Sequence, residues 1–91
     1  MSSNDFNKKY KEYLEDRHYG LAIDNPTIVD FLDSIFKDLT KIPGFKYSQI
    51  KMKFGMARFY STLGVDLSYL IEDKINTIYK AIVTQDKNRK Y

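Results

Sequence analysis

With 91 residues, 43% of them hydrophobic and 30% charged, the chain has the length and composition of one domain around a modest core. The absence of cysteine excludes disulfides, thiol nucleophiles and cysteine metal sites, and a single histidine leaves little material for acid–base catalysis. The net charge of +3 hides an asymmetry, because residues 1–40 sum to −3 and residues 41–91 to +6, and no acid lies between Lys41 and Val65.

The first expected element is an amphipathic helix from about Asp5 to His18, on the helical spacing of Phe6, Tyr10, Tyr13, Leu14 and Arg17. Ser3 or Asn4 is placed to cap its start and Gly20 to end it in a left-handed conformation. The second helix starts at "DNPT", where a capping Asp or Asn precedes a proline that the first turn tolerates. Ile28, Val29, Leu32, Ile35, Phe36 and Leu39 form its apolar face, and "IPG" at 42–44 stops it. A long C-terminal helix, about Asp66 to Thr84, carries Leu67, Leu70, Ile71, Ile75, Ile78, Tyr79 and Ile82 on one face and is expected to be the main buried element. Residues 1–4 and 85–91 are expected to fray.

Between the last two helices lies "QIKMKFGMARFY", residues 49–60, which concentrates positive charge and aromatics around a glycine. Read as a helix it would leave only a narrow polar strip. Read as strands, "IKMKF" alternates strictly, "ARFYS" alternates acceptably, and Gly55 suits the positive-φ position of a tight turn. Glycine costs about 1 kcal/mol inside a helix and little in such a turn, which favours a hairpin over about 46–62. The expected class is therefore α+β, with two N-terminal helices, this hairpin and the long C-terminal helix; the alternative is an all-α four-helix domain. On the hairpin reading Ile50, Met52 and Phe54 face the last helix, and Lys51 and Lys53 face away.

The same stretch resembles the Q-(I/V)-K-E-K-F-G-x-L-R-F-Y signature of a family of small bacterial and phage proteins with no assigned activity. Gln49, Ile50, Lys51, Lys53, Phe54, Gly55, Arg58, Phe59 and Tyr60 match it, and weaker similarity extends over about residues 18–82. Members often carry two glycines, "FGGLRFY", which again implies a turn between strands. Met52 stands in place of the usual Glu, Ala57 in place of Leu, and Asn25-Pro26 in place of Gly-Trp. A role for that carboxylate therefore does not carry over. Many relatives end in a cysteine-containing tail; this chain has none, so no zinc is implied.

No glycine-rich phosphate loop, Ser/His/Asp set or His/Cys cluster is present, and no cofactor, metal or catalytic residue is assigned. His18 is expected at a helix C-terminus, where its charged form favours the dipole. Glu15-Asp16 and Glu72-Asp73 point to different sides of a helix and read as solvated charges, and Asp30 and Asp33, one turn apart, form a weak cation pair. The expected function is a non-enzymatic binding module whose surface comprises Lys46, Tyr47, Lys51, Lys53, Arg58 and Tyr60, with Gly55 at the turn. Its partner is an acidic protein or a second copy, with Tyr and Arg as anchors. The alternative is a nucleic acid, gripped by the bases and stacked on Tyr47, Phe59 or Tyr60. A purely structural role leaves the lysines solvated and pairs Arg58 with Asp66 or Glu72. No apolar run approaches the ~20 residues that cross a bilayer and no signal segment is visible, so the expected compartment is cytoplasmic with no membrane partner.

Overall fold

A computed structural model describes residues 1–15 and 19–88. The fold is α+β, with three helices and a three-stranded sheet. The helices are α1 (Ser3–Lys9), α2 (Pro26–Leu39) and α3 (Val65–Asn88). The strands are β1 (Gly20–Leu21), β2 (Tyr47–Lys53) and β3 (Met56–Ser61), in the spatial order β1-β2-β3. No helix among the described residues is long and apolar enough to cross a membrane.

This order departs from two N-terminal helices followed by a hairpin. Helix α1 ends at Lys9, and a 3-10 turn follows over Lys11–Tyr13. The apolar spacing does continue to Leu14, but Leu14 bridges to Tyr47 in parallel and the Glu15 N–H donates to the Tyr47 carbonyl at 2.8 Å. Pairing with β2 has thus overridden helical propensity. The start is capped by Ser2 through a capping box with Asp5. Near the start, the Ser3 N–H donates to Asp24 and the N-terminal amine lies 3.7 Å from Asp30. Gly20 opens a strand instead of closing a helix, with φ at +123°. Expectations for Asp16, Arg17 and His18 fall outside the described residues.

Strand β1 pairs in parallel with β2, Gly20 opposite Gln49 and Leu21 opposite Ile50, and α2 forms the crossover between them. Asn25 caps α2 by accepting from the Thr27 and Ile28 N–H groups, with Pro26 in the first turn. The outer edge of β1 is covered by one side chain. Asn7 accepts from the Leu21 N–H at 2.9 Å and donates to the Leu21 carbonyl at 3.1 Å, imitating a neighbouring strand. Its Oδ1 also accepts from the Tyr47 hydroxyl at 3.2 Å. Gly20 is required beside it, because a Cβ there would come within 2.8 Å of Asn7 Oδ1.

The core lies between the inner face of the sheet and α1, α2 and α3. Phe36 of α2 sits at its centre, with the rings of Phe6, Tyr10, Phe45, Tyr47 and Phe59 at 4.8–6.3 Å between centroids. Helix α2, with Ile28, Val29, Leu32, Phe36 and Leu39 buried, is the main buried helix. This corrects the expectation for α3, in which Leu67 and Leu70 are 38% and 52% exposed and Ile71 and Ile75 are the apolar residues fully enclosed.

Candidate functional site: the outer face of the hairpin

Strands β2 and β3 are antiparallel, with Gln49 opposite Tyr60, Ile50 opposite Phe59, Lys51 opposite Arg58, Met52 opposite Ala57 and Lys53 opposite Met56. Side-chain alternation then sends Ile50, Met52, Ala57 and Phe59 inward, and Gln49, Lys51, Lys53, Met56, Arg58 and Tyr60 outward. Of the outward set, Lys53, Met56, Arg58 and Tyr60 are exposed and Gln49 and Lys51 are half-buried.

The connecting loop is two residues long, Phe54 and Gly55, both with positive φ, at 54° and 75°. This is the sign pattern of the mirror-image turns that match the twist of a hairpin. The expectation that Phe54 packs inward is corrected, because strand pairing ends at Lys53 and the ring is 94% exposed. The Lys53 ammonium lies 5.9 Å from the ring centroid. A large apolar side chain in a left-handed backbone conformation violates both local propensity and burial. Sequence alternation concealed it.

Of the residues expected to form the binding surface, Lys51, Lys53, Arg58 and Tyr60 share the outer face, Tyr60 being 46% exposed. Tyr47 does not join them. It is fully buried, because an irregularity in pairing between Tyr47 and Gln49 breaks the alternation that would send it outward. Phe59 is buried too, which leaves Tyr60 alone among the three candidate stacking rings. Lys46 is exposed, but its ammonium donates to the Glu12 carbonyl at 2.7 Å and ties the hairpin to the turn after α1.

Helix α3 runs along the outer edge of β3 and is joined to it by two side chains. Asn76 Oδ1 accepts from the Ala57 N–H at 2.7 Å, and the Glu72 carboxylate accepts from the Phe59 N–H at 2.8 Å. The spacing suits both elements, since four helical residues rise about 6 Å and two strand residues about 6.6 Å. Glu72 is thereby engaged with backbone, and no ion pair of Arg58 with Glu72 or Asp66 occurs among the described residues. Polar residues at i and i+4 beside Ile71 and Ile75 were the sequence signal for this edge cover.

Between β3 and the first turns of α3 lies a groove of about 370 Å³, walled by Tyr60, Leu63, Val65, Tyr69 and Glu72, with Phe59 at its base. Tyr69 is 60% exposed and was not singled out in the sequence, where it falls off the apolar face of α3. Asp30 and Asp33 do not converge on a cation site. Lys9 reaches Asp33 at 2.8 Å, the Tyr10 hydroxyl donates to the same carboxylate, and Asp30 faces the N-terminal amine. Burial works to raise the Asp33 carboxyl, but the bonds from Lys9 and Tyr10 prevail and hold it below its usual value. No group of three potential metal ligands occurs among the described residues.

The fold and site together define a small α+β domain with one uncovered, basic sheet face. No family model matches the chain, and no curated protein or solved structure matches it significantly.

Proposed function

We propose that the protein is a non-enzymatic binding module that docks an acidic surface of a partner protein, or of a second copy, onto the outer face of its hairpin. The observation that carries this reading is the cross-strand pair of Lys51 and Arg58. Like charges placed directly opposite each other on a sheet disfavour folding by some tenths of a kcal/mol up to about 1. The cost is relieved when an anionic group seats between them. Lys53 adjoins the pair and Phe54 extends from the tip as an apolar anchor, the combination of charge and aromatic area that dominates protein interfaces.

A second reading, single-stranded nucleic acid, draws on Tyr60, which stands beside the two cations as a platform for one base. The burial of Tyr47 and Phe59 weighs against it. Titration of labelled polyglutamate and of a labelled oligonucleotide at two salt concentrations separates the readings. The acidic polypeptide is expected to bind in a salt-dependent way that Lys51→Ala/Lys53→Ala/Arg58→Ala largely abolishes while leaving the fold intact. If instead a single-stranded oligonucleotide binds and weakens about 20-fold for a fourfold rise in salt, as three neutralised phosphates on a single strand require, the partner is nucleic acid.

A further inference from the structure

We infer that the groove between β3 and α3 is the anchor pocket of this same surface, and that its ligand is a linear acidic segment carrying one apolar side chain. The inference rests on the reading of the outer face as a docking surface and adds the form of the partner.

Three observations on the groove point to this ligand. Its volume of about 370 Å³ accommodates one or two side chains but no folded element. Leu63 and Val65 line it together with three serines, and the exposed rings of Tyr60 and Tyr69 stand at its rim, so an apolar group finds carbon contact there and a neighbouring backbone group finds hydroxyls. Glu72 contributes a carboxylate to the same wall. A phosphate in the groove would meet that charge; an aliphatic or aromatic side chain would not. Nucleic acid is therefore disfavoured inside the groove even though the neighbouring face is basic.

Position supplies the acidic part. Tyr60 at the groove rim and Arg58 lie on the same face of β3, two residues apart, and Lys51 is opposite Arg58. An extended peptide advances about 3.3 Å per residue, like the strand beneath it. With its apolar side chain in the groove, a carboxylate about two positions away reaches the Lys51 and Arg58 pair, and one about four positions away reaches Lys53. The sheet edges are already covered, by Asn7 on β1 and by Asn76 and Glu72 on β3. The segment therefore lies across the outer face through side-chain contacts, and strand addition at an edge is not its mode.

The experiment is a selection of displayed random short peptides on the whole protein, followed by titration of the enriched peptides against wild type, Tyr69→Ala and Lys51→Glu/Arg58→Glu. Tyr69 is exposed, and the other two substitutions lie on the outer face, so circular dichroism is expected to match wild type for each. Enriched peptides should pair one Leu, Ile, Met or Phe with Asp or Glu at the stated spacing, and each variant should weaken binding about tenfold or more. Loss with charge reversal but not with Tyr69→Ala would overturn the groove while keeping the basic face. No loss with charge reversal would overturn both. Enrichment without acids, or no enrichment, would overturn the linear segment, and oligonucleotide binding in its place would identify nucleic acid as the ligand.

Discussion

Tyr47 shows how one residue couples core, sheet and pH. Its ring packs against Phe36 and Phe6, its hydroxyl reaches Asn7, and burial pushes the phenol up to about 12. Burial and then the bond to Asp33 move Tyr10 in the same direction. Both folded-state values lie above the unfolded value of about 10, so this stability is fully present below pH 10 and is lost as the pH rises toward the folded values. Denaturant titrations at about pH 8 and about pH 11 should show a decline to which Tyr47 contributes about 1 kcal/mol. Tyr47→Phe should flatten that decline. An unchanged decline in Tyr47→Phe would assign it to other groups. Tyr47 also marks where a sequence reading fails: Lys46 and Ser48 flank it as surface residues do, and the local pairing irregularity that turns it inward has no compositional signature. Phe54 fails for the opposite reason, because the alternation of Ile50 and Met52 runs one residue past the point where the strand ends.

At the scale of elements, α3 is held to the sheet by polar contacts as well as by apolar ones. Asn76 is buried and is the acceptor for the Ala57 N–H. Asn76→Leu should preserve apolar burial yet cost about 1–3 kcal/mol in urea denaturation, because the strand N–H loses its acceptor without regaining water. Glu72→Gln keeps a carbonyl oxygen for the Phe59 N–H and should change stability by less than about 0.5 kcal/mol. Equal losses in the two variants would mean that packing, not edge capping, holds α3 in place. Helix α2 was legible in the sequence because its cap, its proline and its apolar period all agree. The hairpin was legible from alternation and Gly55. Strand β1 was not, since two residues carry no period, and α1 was overextended because its apolar spacing continues into residues that pair with β2 instead.

For the whole molecule, part of the charge asymmetry along the chain becomes a separation in space. Helix α2 packs on the inner face of the sheet and turns Asp30 and Asp38 to solvent, while Lys51, Lys53 and Arg58 lie on the outer face of the same sheet. Composition made the imbalance visible, and only the fold shows that Asp30 and Asp38 lie across the sheet from Lys51, Lys53 and Arg58. The groove beside Tyr69 was hidden for the same reason, since it joins residues from two elements that no local pattern connects. The central claim, that the outer face of the hairpin is the docking surface, is tested most directly by titrating the isotopically labelled protein with a short polyglutamate peptide and following amide and side-chain NMR shifts. Salt-sensitive shifts are expected at Lys51, Lys53, Arg58, Tyr60 and the Phe54 tip, with the buried side of α2 unmoved. Shifts confined to other surfaces, or none at low salt, would contradict it.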